Sequence, residues 1–393
     1  MDEEKQPETT EPTAKKDFYD FNASWILMFV YIGFLASMIF WQRNIFNAMY
    51  NPEDYNYFVF IFISFLLGIV ATFLIYNLGK LLAAKIAGYD IVYTKLAGFT
   101  IDHSKAKVKV SFHILEIGDV EMKFAPKSDD IKRNPTPIFF GGFLFELIVI
   151  AIGLAMFFVF AFNKGANANS FLGYMFLFGT LYGLVIPLYE SLPFRQDSPN
   201  DMFNFLNTKK PEEKEAYNLL NINRKRELNG QDFLVPAQSI LDTYYPIHVL
   251  YYVYLDHLYK NELEAAVSVL DTMKLNKKKF DDTERYLPAS ESLYLRYLID
   301  DETGADNLYL TLKGEEKSAI TNPSDLADFR TSLLVLGYIS SDKEAIQDLL
   351  KKYHAKLAGL EPSDRVKKEQ ALFDQAYKTL RSKKPDLGLA ETY

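Results

Sequence analysis
The chain has no cysteine, and that absence removes whole classes of chemistry. A disulfide framework, a thiolate metal site and a cysteine nucleophile are all excluded. An excess of positive charge is missing as well: the formal net charge is -8, which argues against nucleic acid as a partner. No phosphate-binding glycine loop, nucleotide-binding fingerprint or Ser/His/Asp set is present. Residues 1–20 are polar, rich in Glu, Thr and Pro, and read as a disordered cytoplasmic tail. They lack the pattern of a cleaved signal peptide, so the first apolar run is expected to stay as an anchor.

What is present divides the chain near its middle. The first half carries apolar runs over roughly 23–42, 57–79, 137–162 and 170–192, each near the ~20 residues a helix needs to cross hydrocarbon. Aromatic content is high, with 32 Phe and 26 Tyr, as in lipid-facing helices and interfacial belts. Lys15 and Lys16 precede the first run, and the connection after the second holds Lys80, Lys85, Lys95, Lys105, Lys107, Lys109, Lys123, Lys127 and Lys132. The connection between the first two runs has one basic residue and carries Glu53 and Asp54. Positive-inside reasoning predicts a multi-pass cell-membrane protein of four spans, with both termini and the Lys-rich loop in the cytoplasm.

The second run ends in Tyr76-Asn77-Leu78-Gly79-Lys80-Leu81-Leu82-Ala83-Ala84, followed by Gly88. The third opens with Gly141-Gly142-Phe143-Leu144-Phe145-Glu146-Leu147. The fourth ends in Leu184-Val185-Ile186-Pro187, and Ser198-Pro199-Asn200-Asp201-Met202 follows. Over about residues 57–205, this series resembles the site-2 protease family of intramembrane metallopeptidases. That family ends a membrane helix in His-Glu-Leu-Gly-His, keeps a Gly-Gly-Pro-Leu-Ala-Asn-Leu motif, and supplies a third zinc ligand from an Asp after an Asn-Leu-Leu-Pro. On the resemblance, Tyr76, Asn77 and Lys80 stand at the two metal-binding histidines and the general base, and Asp201 at the third ligand. Leu184, Met202, Phe143 and Glu146 also depart from the pattern.

The resemblance implies a three-helix core plus one extra helix, with the Asp201 loop and the Tyr76 helix framing a former substrate groove. The residues argue against the family's chemistry. Tyr76 is at best a weak phenolate ligand, Asn77 cannot take a proton at neutral pH, and Lys80 is a cation, so no cofactor or metal is expected. Two fates are open to Lys80: an ion pair with Asp201, or snorkelling to the headgroups from the helix end. Glu146, a carboxylate within a span, is expected to line the core, either hydrogen-bonded to a neighbouring helix or in a binding role. Gly141 and Gly142 suit close helix packing, and Pro187 closes the fourth span.

The Lys-rich loop, residues 88–136, contains Lys105 to Ile114 in strict alternation, which argues for a half-buried strand. Lys107, Val108 and Lys109 would form an edge able to pair with an extended peptide. His103 and His113, near Glu116 and Asp119, could be imagined as a metal cluster; His113 shares its face with lysines, which favours a solvated strand. His248, His257 and His354 read as surface or packing residues.

From about residue 206 the chain reads as amphipathic helices, beginning with Pro211-Glu212-Glu213. Leu255, Leu258, Ala265 and Leu270 recur as Leu295, Leu298, Ala305 and Leu310, and again as Val335, Tyr338, Ala345 and Leu350. The offset of about forty residues suits a helical-hairpin repeat loosely like the tetratricopeptide repeat, or an ordinary bundle with chance matches.

The expected fold is therefore mainly α: a membrane domain over 21–205 with a small β element, then a cytoplasmic helical repeat domain over 206–393. The function read from these residues is a site-2 protease-like scaffold without catalysis. It would bind a membrane protein or peptide in its groove, and a cytoplasmic or membrane-complex protein through its helical half. The alternatives are an active zinc protease with a non-standard site, and a membrane-tethered helical-repeat adaptor or transporter subunit.

Overall fold
The computed structural model describes residues 23–49, 56–96, 99–102, 109–112, 120–161, 167–191, 199–236, 244–275, 286–360, 364–391 and 393. The polar tail, Lys107, Val108, His103, His113, Glu116 and Asp119 lie outside these residues. The chain forms two compact units: Met1–Ala83 with Ile138–Leu206, and Ala84–Pro137 with Asn207–Tyr393. The β-containing loop groups with the helical half.

The first unit is built from α1 (Ala23–Met49), α2 (Tyr57–Ile86), α3 (Thr136–Ala161), α4 (Asn167–Gly183), α5 (Val185–Ser191) and α6 (Asp201–Asn207). Among the described residues, three helices are long and apolar enough to cross a membrane: Tyr57–Ile86, Thr136–Ala161 and Ser170–Ser191, the last joining α4 to α5. The break at Leu184 precedes Pro187, whose ring crowds the carbonyl one turn back and donates no amide hydrogen. Phe46, Phe60, Met175, Phe178 and Tyr182 make the core of α1, α2 and α4. Within it Gln42 donates to Ser64 Oγ at 3.3 Å and accepts from Tyr182 at 2.7 Å. The outward faces are apolar, with Phe40, Phe58, Phe62, Leu144 and Val159 all exposed, as lipid contact requires.

The α2–α3 seam is made by small residues. A Cβ on Gly79 would sit 2.5 Å from the Gly141 carbonyl oxygen, and one on Gly142 2.5 Å from the Tyr76 ring. The paired glycines thus have the packing role their residue type suggests.

The second unit opens with a sheet. α2 stops at Gly88, whose φ of 78° is a left-handed turn suited to glycine. Strands β1 (Tyr89–Leu96), β2 (Phe99–Asp102), β3 (Lys109–Phe112) and β4 (Val120–Pro126) form an antiparallel sheet in the order β3-β2-β1-β4. β3 was expected to be half buried. Its apolar side chains are exposed instead, Val110 at 58% and Phe112 at 51%. The reason is position: β3 is an edge strand, and α7 (Pro211–Leu228) packs on β4 and β1, away from it. α7 is clamped there by Lys225–Asp90 and Arg226–Asp129 ion pairs, each 2.8 Å, and by Asn218, which donates to the Ile131 and Arg133 carbonyls.

The remaining helices are α8 (Tyr244–Tyr259), α9 (Leu263–Leu275), α10 (Leu287–Leu298), α11 (Glu302–Thr311), α12 (Gly314–Thr321), α13 (Leu326–Val335), α14 (Lys343–Ala358) and α15 (Asp364–Lys383). The residues expected to recur do fall on matching helices: Leu255, Leu295 and Val335 on α8, α10 and α13. The turns match as well. Asn261, Asp300 and Ser341 take φ of 58°, 63° and 50° after those three helices, or after the π-turn that extends α13. The register is looser than a fixed forty. Ala266, Ala305 and Ile346 are buried near the starts of the second helices, as are Leu270, Met273, Leu349 and Tyr353 farther along, while Leu310 is 73% exposed. α12 has no counterpart among the recurring positions.

Candidate functional site
On α2, Thr72, Tyr76 and Lys80 follow one another at one-turn spacing, so their side chains share a face. Asp201 opens α6 and meets that face. Asn200, its neighbour, donates to the Tyr189 carbonyl at 3.0 Å and accepts from the Phe203 amide at 3.1 Å. The Asp201 amide donates to Glu190 Oε2 at 2.9 Å.

Both Asp201 oxygens are then occupied. Tyr76 donates its hydroxyl to Oδ2 at 2.9 Å, and Lys80 donates Nζ to Oδ1 at 2.8 Å. Asp201 and Tyr76 are buried, while the Lys80 side chain keeps 15% of its exposure. Of the two fates open to Lys80, the ion pair is the one formed. The ammonium also lies 5.9 Å from the Tyr76 ring centroid, which favours the charge further.

Asn77 is not part of this cluster. It points its amide back along α2, to the Phe73 carbonyl at 2.7 Å. Glu146 sits on α3, one turn beyond Gly142, and accepts from the Thr72 hydroxyl at 3.3 Å. Its other oxygen is buried with no hydrogen-bond donor among the described residues. Pro187 is buried and shapes the turn from α4 into α5, which carries Glu190. Sequence reasoning missed Glu190. The one available signal was a carboxylate at a span end, close before the Asp201 loop.

The donor set does not fit zinc. A catalytic zinc needs about three protein ligands and an open position for water. Here Asp201 has both oxygens engaged, and a fixed ammonium lies beside it. No group of three or more His, Asp or Glu able to hold a metal occurs among the described residues. Of the other histidines, His248 is buried, His257 pairs with Glu262 at 2.7 Å, and His354 lies in an aromatic cluster.

The helical half has a second buried charge cluster. Arg330, fully buried on α13, forks onto Glu291 of α10 at 2.6 and 3.0 Å and reaches Glu369 of α15 at 3.2 Å. Tyr259 donates to Glu369 at 2.9 Å, Tyr254 donates to Glu291, and the Tyr294 ring lies under the guanidinium at 4.2 Å. Burial opposes the charge on Arg330, but Glu291 and Glu369 outweigh it and hold its pKa above the ordinary value. Every charged group here has partners, and the cluster ties four helices together.

No family model, curated protein or solved structure matches this chain.

Proposed function
We propose that this is a four-span membrane protein with a site-2 protease-like core and no peptidase chemistry. It binds a membrane protein or peptide and joins it to a partner held by its helical half. The observation that carries this reading is the Asp201 cluster: where the resemblance puts a metal, Lys80 and Tyr76 both donate to the carboxylate. An ammonium supplies the positive charge that steadies Asp201, but it neither activates water nor polarises a carbonyl as zinc does. The framework around the site is kept: the glycine seam, the Pro187 turn and the anchored Asp201 loop.

α1 is the fourth span in this reading. Its buried Gln42, bonded to α2 and α4, supports its place in the bundle. The Lys-rich loop puts the sheet and the helical half in the cytoplasm. The edge of β3, beginning at Lys109, has no strand paired to it among the described residues and offers its backbone groups to an extended segment. The matched turns at Asn261, Asp300 and Ser341 support a stacked helical repeat, an architecture that presents long surfaces to partner proteins.

The test pairs two measurements on the full chain from native membranes. Elemental analysis should find far less than one zinc per chain, and photo-crosslinkers at Tyr76 and Lys109 should capture a membrane-protein segment. One tightly bound zinc, lost in Asp201→Ala, would overturn the reading in favour of an enzyme. Capture only from positions in α8 to α15 would reduce the membrane unit to an anchor.

A further inference from the structure
After α15 the chain folds back onto α14 and α15. α13 packs against both α14 and α15, and the Tyr353 ring of α14 stacks on Phe373 of α15 at 3.8 Å to form the floor. The chain leaves α15, buries Leu387, and turns at Gly388 with a φ of 54°. Beyond that turn, three side chains donate to backbone carbonyls of the segment. Lys343 reaches Gly388 at 3.3 Å, Tyr377 reaches Ala390 at 3.0 Å, and Arg381 reaches Glu391 at 3.1 Å.

Tyr393 is the anchor. Its ring lies 4.7 Å from Tyr377, 5.2 Å from Phe373, 5.4 Å from His354 and 6.0 Å from Tyr353. Its hydroxyl donates to the Asp374 carboxylate. Side chains that grip main-chain carbonyls, beside a socket that takes one aromatic residue, make up a peptide-recognition arrangement.

We propose that the α14–α15 groove is a recognition site for extended segments of other proteins that carry a tyrosine anchor, with Gly388–Tyr393 as its occupant in cis. The partner's chemistry follows from the contacts. Carbonyl contacts read any extended backbone, the ring cluster selects an aromatic side chain, and Asp374 selects one with a hydroxyl. A site that hydrogen-bonds a hydroxyl disfavours the analogue that lacks it, because its acceptor, here the half-buried Asp374, loses a partner. The cis segment is lightly held: Gly388, Ala390 and Glu391 are exposed, and its grip past Leu387 is one half-buried ring and the carbonyl bonds. It competes through tethering, at an effective concentration on the order of mM. This inference rests on the helical half being a partner-binding module and is independent of the membrane site.

The test uses an amidated, fluorescent Gly-Leu-Ala-Glu-Thr-Tyr peptide, matching residues 388–393, and purified chain in detergent. A chain ending at Leu387 should bind it at least tenfold more tightly than the full chain does. A peptide with Tyr→Ala should lose at least tenfold, one with Tyr→Phe should fall between, and Asp374→Ala should erase the preference for Tyr over Phe. A shortened chain with unchanged circular dichroism that binds no peptide, or binds the Ala peptide equally, overturns the proposal. Should the shortened chain fail to fold, full-length Tyr393→Ala empties the socket alone. That variant must bind the peptide more tightly than the native chain, and equal binding overturns the proposal.

Discussion
Two buried clusters of charge, one in each unit, differ in how completely they are satisfied. Around Arg330 a planar guanidinium meets two carboxylates, both carboxylates take tyrosine hydroxyls, and a ring covers the open face. Around Lys80 one ammonium serves Asp201, Glu190 is engaged by a backbone amide, and Glu146 keeps an oxygen without a donor. An arginine fork suits a closed, fixed arrangement, whereas lysine is a point charge on a flexible stem. The first cluster is what a structural tie between helices needs. The second leaves one Glu146 oxygen without a donor among the described residues, in a bundle whose outward faces are apolar.

The largest expected effect lies in the satisfied cluster. Arg330→Met should destabilise the helical half by about 3–5 kcal/mol, because it strands Glu291 and Glu369 without a cation in a dry core. Hydrogen exchange of the α8, α10, α13 and α15 amides reads this directly. Exchange rates unchanged from the native chain would show that the cluster is not what holds these helices.

The membrane cluster should respond less. Lys80→Met leaves Asp201 with the Tyr76 hydroxyl, so the expected cost is that of one charged hydrogen bond, about 1.5–3 kcal/mol. Adding Asp201→Leu should return most of that loss, since an apolar pair of similar volume often matches a buried ion pair. Unfolding in detergent, followed by resistance to proteolysis, would check both steps. If the double variant is worse than Lys80→Met alone, Glu190 depends on Asp201 for more than its amide.

The two clusters also differ in how far the sequence reveals them. Tyr76 and Lys80 were singled out through the resemblance, and their i, i+4 spacing on a plain apolar helix puts them on one face. Asp201 could be placed only through the resemblance, since nothing local says a loop residue returns to a helix far back in the chain. Glu190 was invisible because its role is an acceptor for one backbone amide. In the helical half, a charged residue on an amphipathic helix reads as surface, so Arg330 gave no sign of burial. A signal did exist: Glu291, Arg330 and Glu369 are spaced by 39 residues each, close to the recurrence of the apolar positions. A repeat that recurs in its charges as well as its leucines puts those charges on successive stacked helices. The exposure of Val110 and Phe112 was illegible for the opposite reason. Alternation reveals that a strand has an apolar face, but only the packing shows that α7 covers β4 and β1 and not β3.

The smallest expected effect tests a pair that belongs to neither cluster. Glu121 and Lys123 of β4 pair at 2.8 Å, with side-chain exposures of 40% and 24%. Burial works to raise the Glu121 pKa, but Lys123, with Arg224 and Lys95, more than offsets it and holds the group below its ordinary value of 4.5. A depressed carboxylate contributes stability above its unfolded pKa, and that contribution is lost as the pH falls through the folded one. The sheet should therefore weaken on acidification below about pH 4.5, by a few tenths of a kcal/mol, because solvent screens so exposed a pair. Lys123→Ala should flatten this dependence in the exchange rates of the β1 and β4 amides. The α10 amides around the Arg330 cluster should not share the change. An acid response that survives Lys123→Ala would show that the Glu121–Lys123 pair is not its source.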